Sequence, residues 1–364
     1  MTKKQAKQYW RDHDDDSATE EGASEAFAAL YGRAPGPQDA TKACGRTSAS
    51  ASLAPQAAGP EGRIYRTPIL EAGIHAAVSV EAYHADPCPM PSLSASMCKI
   101  LDSESPWHAW TAHPRLNPAW QPEEASKIFD LGTVCHALLL EGADVAHVIA
   151  ALKEGEPVTD WRTKAAQVER DEARARGKIP LLAHQAPEVA AMIQAATAQL
   201  AVHKDACNVF RAGKPEQTLT WQEEGGIWCR ARLDWLSDSR LKIADYKTTS
   251  GSANPETISR LMIASGWDIQ AAFYIRGLNA LHPPGAYTRE FRFVIQETFP
   301  PYTLCVVGLA PEWQWSGHSK VTRAIELWRK CLAEDHWPGY PDRTVYPDLP
   351  KWEEERITRK ELGV

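Results

Sequence analysis

The stretch from Glu216 to Leu236, EQTLTWQEEGGIWCRARLDWL, alternates apolar and polar side chains on either side of a Glu-Glu-Gly-Gly step, and LKIADYKTT follows after a short polar break. A period of two sends successive side chains to opposite faces, which a helix of 3.6 residues per turn cannot turn into one buried stripe. The pattern predicts two strands joined by a turn at 224–226, then a third strand after a turn at 237–240. A chain that commits its middle to such a hairpin needs other elements to cover the sheet.

Those elements are legible on both sides. Upstream, LSASMCKILDSESPWHAW begins with serine cap candidates and carries Met97, Ile100 and Leu101 at helical spacing. IFDLGTVCHALLLEG predicts a buried helix with Val134, Leu138 and Leu139 on one side, His136 within it and Gly142 at its C-terminal cap. WRTKAAQVERDEARARGK and APEVAAMIQAATAQLAVH predict two more helices. Downstream, GWDIQAAFYIRGLNAL reads as helix, REFRFVIQET and YTLCVVGL as strands, and SKVTRAIELWRKCLAE as a closing helix. The expected fold is α/β, a central mixed β-sheet flanked by helices, spanning 69–364. Residues 1–68, with DHDDDSATEEGASE and GRTSASASLAPQAAGPEG, read as a flexible low-complexity tail carrying at most a short helix at 25–31.

Composition narrows the function classes only slightly. A hydrophobic fraction of 43% in 364 residues supports a sizeable core, and a formal charge of −7 excludes a globally basic coat while leaving room for local basic patches. The eight cysteines form no CxxC pair, so neither a zinc knuckle nor a disulfide framework is expected. The opening MTKKQAKQYWRDHDDD lacks the apolar core of a secretion signal, and no stretch approaches the roughly 20 apolar residues of a membrane span. The expectation is a cytoplasmic protein with reduced thiols and no membrane contact.

Chemistry concentrates on the third strand. Asp245 and Lys247 sit two apart and share a face, and Asp234, near the end of the preceding strand, returns beside Asp245 across the intervening turn. On the plainer reading these three residues form a surface salt bridge; if the carboxylates are buried, they repel and lose hydration, and a divalent cation would neutralise them. Oxygen ligands suit Mg²⁺ or Mn²⁺, which activates water and stabilises charge on a phosphodiester. Lys247 would orient or deprotonate that water, or stabilise the developing phosphorane. Arg230 and Arg232 lie on the strand of Asp234, where they either neutralise it or meet phosphate oxygens. The run from Arg162 to Lys178 reads as a solvated helix face or the flank of a nucleic-acid channel, and Trp107 or Trp267 as a platform for an unpaired base.

The series Asp234, Asp245-Tyr246-Lys247 resembles the PD-(D/E)xK nuclease core, with the two acids and the lysine in matching positions. GTVCHALLLEG resembles the upstream helix of RecB-type and RecE-type nucleases, which implies a metal-binding role for His136. QAAFY resembles their Q-x-x-x-Y motif, which implies that Gln270 and Tyr274 contact DNA or the scissile phosphate; packing of helix against sheet is the other reading. An acid often precedes the hairpin in this group, and here Glu216 is favoured over Glu223 and Glu224. Flanks such as SVEAYHADPCPMPSLSASMCKILDSESPWHAW and HWPGYPDRTVYPDLPKW resemble those of RecE-type exodeoxyribonucleases carried by prophages, extending the likeness over 74–352.

The resemblance implies a restriction-endonuclease-like core, catalysis by Asp234, Asp245, Lys247 and Glu216, a metal held by His136, Asp234 and Asp245, and Mg²⁺-dependent 5′ to 3′ digestion of linear double-stranded DNA. It also implies 3′ single strands for recombination, a ring-like homo-oligomer on DNA ends, and a RecT-type single-strand annealing partner. Relatives with an iron-sulfur cluster carry closely spaced cysteines near the C-terminus; only Cys331 lies there, so no such cluster is expected. The alternatives are an endonuclease or single-strand-specific nuclease on the same fold, and an inactive DNA-end-binding protein.

Overall fold

A computed structural model describes residues 69, 71–76, 78–121, 131–142, 145–153, 155–285 and 288–362. The N-terminal segment 1–68, including the helix expected at 25–31, lies outside the described residues. In chain order the elements are β1 (Gly73–His75), α1 (Val80–His84), α2 (Ala95–Ser103), α3 (Pro106–Ala112), α4 (Leu131–Glu141), β2 (Ala146–Val148), β3 (Leu152–Lys153), β4 (Glu156–Pro157), α5 (Lys164–Ala175), β5 (Ile179–Leu181) and α6 (Ala186–Ala201). Then follow β6 (Gly213–Glu223), β7 (Ile227–Ser237), β8 (Lys242–Thr249), α7 (Ile258–Ser265), α8 (Trp267–Leu281), β9 (Glu290–Glu297), β10 (Leu304–Gly308), α9 (Pro311–Glu334) and α10 (Lys351–Leu362).

One six-stranded sheet in the order β1-β6-β7-β8-β9-β10 organises the molecule. The hairpin β6–β7 pairs antiparallel from Glu223↔Ile227 to Gly213↔Ser237, as the period of two predicts. β8 runs parallel to β9 because α7 and α8 carry the chain back across one face between them; the other pairings are antiparallel, so the sheet is mixed. The larger core places Leu219, Trp221, Leu233, Ile243, Phe291, Phe293 and Ile295 beneath α7, α8 and α9. On the opposite face Tyr246 and Val294 meet Val134, Cys135 and Leu138 of α4 and Val189, Met192 and Ile193 of α6. The residues of β8 thus alternate between two buried layers.

Helix boundaries follow local chemistry. Ser94 caps α2 by accepting from the Met97 N–H at 3.3 Å, and Gly142, at φ 94°, ends α4 in the left-handed region open to glycine. α8 and α9 touch closely enough that a Cβ on Gly317 would stand 2.1 Å from the Asp268 carbonyl oxygen. α9 begins at Pro311 rather than Ser319, since proline in the first turn loses no hydrogen bond. The sequence pattern gives no signal for β1 to β5, α1, α7 or α10: the strands have two or three residues, α1 five and α7 eight, too few for a firm period, and α10 buries no face. Among the described residues, no helix is long and apolar enough to cross a membrane.

Candidate active site at the fork of the sheet

β7 and β8 are joined by ladder pairs only at Trp235↔Ala244 and Leu236↔Ile243. Continuing that register sets Asp234 opposite Asp245, and there the ladder stops. Instead of a backbone carbonyl, the Asp234 carboxylate accepts the Tyr246 N–H at 3.0 Å. Farther along, β7 finds another partner: the Leu93 N–H donates to the Trp228 carbonyl at 2.9 Å and the Arg230 N–H to the Leu93 carbonyl at 2.8 Å. The two strands therefore fork, with the half-buried Asp234 on one branch and the buried Asp245 on the other. Leu233 and Leu236, three apart, both join the main core, so side-chain alternation along β7 is interrupted around Asp234.

The hairpin adds a third acid. Glu216 falls between the pairs Pro215↔Trp235 and Gln217↔Leu233, opposite Asp234, with φ at 54°. Left-handed backbone at a residue with a Cβ costs of order 1–3 kcal/mol and persists where the surroundings impose it. Its Oε2 accepts from Arg232 Nε at 2.5 Å, while Oε1 lies 3.8 Å from His136 Nδ1. From the other face α4 brings His136 Nε2 to 2.9 Å from Asp234 Oδ2. One donor atom each from His136, Glu216 and Asp234 lie within 4.8 Å of one another, the span of a metal's coordination shell. Beside them, Lys247 Nζ stands 2.7 Å from Asp245 Oδ1, and Gln270 Nε2 of α8 donates to Asp245 Oδ2 at 2.5 Å.

Charge sets the protonation of the cluster. Burial, reinforced by the charge of Asp234, pushes the Asp245 carboxyl up to about 6 despite Lys247. Burial also opposes the charge of Asp234, but the His136 hydrogen bond, Lys247 and the Tyr246 N–H outweigh it and hold that carboxyl below its ordinary range. Burial works against charge on His136, but the bond and field of Asp234, with Glu216 and Asp245 behind it, outweigh it and raise the imidazole. Glu216 is raised by burial and by Asp234, against the pull of Arg232.

The expected residues are thus sorted by geometry. His136 and Asp234 come together as expected, but the third acid within 4.8 Å of both is Glu216; Asp245, expected as a metal ligand, stands beside this group with its oxygens facing Lys247 and Gln270. Glu223 turns away to Arg276, at 2.7 Å, and Glu224 is exposed, which separates Glu216 from its two competitors. Arg232 meets Glu216, not Asp234. Arg230, expected beside DNA, is 4% exposed and turned into Ser92 and Asp86. Gln270 holds Asp245, and Tyr274 is buried against Phe291. Trp267 is buried on Phe293, whereas Trp107 is exposed and stacks on Trp110. In the charged run, Arg162, Arg170 and Arg176 each pair with a nearby acid.

Sequence reasoning did not reach the buried cluster around Asp86. Its carboxylate accepts from the Ser92 hydroxyl at 2.6 Å and the Ser92 N–H at 2.8 Å, with His113 Nε2 at 3.3 Å and Arg230 at 3.4 Å. His113 Nδ1 accepts from the Arg115 and Leu116 N–H groups, so its proton sits on Nε2 facing Asp86. The partners are scattered between 86 and 230 and share no spacing that a sequence pattern reveals.

No curated protein matches the chain. A crystal structure from Eubacterium rectale, described as "Putative exonuclease", is similar at 11% identity and a TM-score of 0.47, covering 77% of this chain and 98% of its own. The model of a PDDEXK-like domain of unknown function, DUF3799, matches residues 94–349, a range that takes in more than half of the chain and every residue of the fork cluster. Mixed sheet, flanking helices and the acids on β7 and β8 agree with that match, and the chain belongs to the PDDEXK-like DUF3799 family, with the PD-(D/E)xK nuclease fold.

Proposed function

We propose that the protein is a divalent-cation-dependent DNA nuclease whose active site is the fork between β7 and β8. The observation that carries this reading is the convergence of His136, Glu216 and Asp234, with the Asp245–Lys247 pair on the facing branch of the fork. Three carboxylates and one imidazole suit a small hard cation, and the raised Asp245 carboxyl marks negative charge that such a cation would balance. When bound, the ion supplies Lewis-acid polarisation of a phosphoryl oxygen and a lowered pKa for water.

The chain's own groups divide the remaining work. Arg232 fixes one oxygen of Glu216 and leaves the other facing His136. Gln270 fixes one oxygen of Asp245. Burial works against the charge on Lys247, but Asp245 and Asp234 outweigh it and keep the ammonium protonated. In this state Lys247 is a donor and a positive charge, placed to stand beside the phosphate oxygens as negative charge develops on them.

The finer reading rests on the RecE-type resemblance of the ordered motifs: a 5′ to 3′ exonuclease acting on ends of linear double-stranded DNA, using Mg²⁺ or Mn²⁺, assembled as a ring-like oligomer, supplying 3′ strands to a RecT-type partner in a prophage recombination system. The test is digestion of 5′-labelled and 3′-labelled linear duplexes and of closed circular DNA with Mg²⁺. Early release of the 5′ label, an intact circle and loss of both products in Lys247→Ala are expected. Nicking of the circle replaces the exonuclease with an endonuclease, and no hydrolysis of any substrate with Mg²⁺ or Mn²⁺ overturns the proposal.

A further inference from the structure

Between the acid and the lysine of β8 lies Tyr246, whose surroundings are more specific than packing requires. Its N–H binds Asp234 at 3.0 Å, and its ring centroid lies 6.1 Å from that of His136. One residue therefore touches two members of the candidate metal set, one through backbone and one through its ring. The side chain is buried, and its hydroxyl donates to Gln296 Oε1 at 2.5 Å.

Gln296 is fully buried among apolar side chains on the α6 face of β9. An amide there is costly unless its hydrogen bonds are met, so an aliphatic residue would serve packing better. All of its needs are met by groups that lock position: Nε2 donates to the Met192 carbonyl of α6 at 2.8 Å and to the Tyr302 carbonyl at 3.2 Å. Gln199 of α6 extends the chain of bonds, donating to the same Tyr302 carbonyl at 3.0 Å and accepting the Leu304 N–H at 2.9 Å. A satisfied buried polar network selects one arrangement where apolar packing tolerates several.

We infer that Tyr246, anchored through Gln296 to α6, is a positioning residue for the metal site: it sets the branch of β8 so that its N–H orients Asp234 while its ring backs His136. The inference rests on the proposed metal-dependent function. Groups that orient metal ligands without touching the ion typically change its affinity by about 10–100-fold when removed.

The test uses the full chain, thermal melting without divalent ion, and calorimetric titration with Mn²⁺. Tyr246→Phe keeps the ring but strands Gln296 Oε1, so it is expected to melt lower and to bind Mn²⁺ about tenfold more weakly. Pairing it with Gln296→Leu removes both polar partners; the double variant should regain most of the lost melting temperature while Mn²⁺ affinity stays about tenfold down. Affinity that recovers along with stability overturns the inference, because the network is then structural only. Should the double variant fail to fold, wild-type affinity in Tyr246→Phe alone overturns it equally. Wild-type protein that binds no Mn²⁺ defeats the metal-site reading itself, a result recognisable before any variant is compared.

Discussion

Replacing Arg230 by Met should damage stability and leave DNA affinity per folded molecule unchanged. The guanidinium touches Ser92 and lies 3.4 Å from Asp86, which is 4% exposed. Burial raises the Asp86 carboxyl, yet Arg230, then the hydrogen bonds of His113 and Ser92, bring it from an ordinary 3.8 down to about 2. At about 1.4 kcal/mol per pH unit, that depression contributes roughly 2 kcal/mol to folding near neutrality. Removing the largest favourable partner leaves the buried charge to Arg115, 3.9 Å away, and to the Ser92 and His113 bonds, which sets the loss at the lower end of the about 3–5 kcal/mol typical of a broken buried pair. In a domain of this size that lowers Tm by at least about 6 °C. The pH dependence has a definite sign. The folded value is depressed, so the contribution is present above about 4 and is lost as pH falls toward about 2. The gap between wild type and Arg230→Met should therefore narrow in acid, measured by urea unfolding at a series of pH values. An unchanged Tm together with a smaller salt slope of DNA binding would refute this and return Arg230 to the phosphate backbone.

Other consequences are equally open to measurement. Lys247→Ala should lower the hydrolysis rate by at least about 100-fold while Mn²⁺ still binds, since the ammonium stabilises charge and does not ligate; calorimetry and single-turnover digestion separate the two. Mn²⁺ affinity should fall as pH drops through the raised range of the His136 imidazole, by about tenfold per pH unit for each proton the ion displaces, and more steeply below about 6 where Asp245 is protonated too; a flat profile contradicts the coupling. Gly317→Ala puts a Cβ 2.1 Å from the Asp268 carbonyl and should cost about 1–3 kcal/mol or more in urea unfolding, with a wild-type stability showing that α8 and α9 are not so closely set.

What could be read in advance depended on how local its cause was. The hairpin of β6 and β7 and the strand β8 were legible because a period of two over eight to eleven residues has no helical equivalent. Asp234, Asp245 and Lys247 followed from alternation and one turn. Their separation from a plain salt bridge was not legible, since it depends on the strands parting at Asp234, before Trp235, and on Leu93 taking the vacated place beside β7, a contact between residues 136 positions apart. Arg230 and Arg232 looked equivalent at i and i+2, but one is claimed by Asp86 and the other by Glu216, and neither acid is near in sequence. Gln270 was found through its motif; that it clamps Asp245 depends on where α8 crosses the sheet.

The most direct test of the fork as a cation site is diffraction from Mn²⁺-soaked crystals at the manganese absorption edge. The structure predicts an anomalous peak among His136, Glu216, Asp234 and Asp245, within about 2.5 Å of an Asp234 oxygen. A peak bound elsewhere, or none in crystals that diffract well at millimolar Mn²⁺, would contradict the proposed centre.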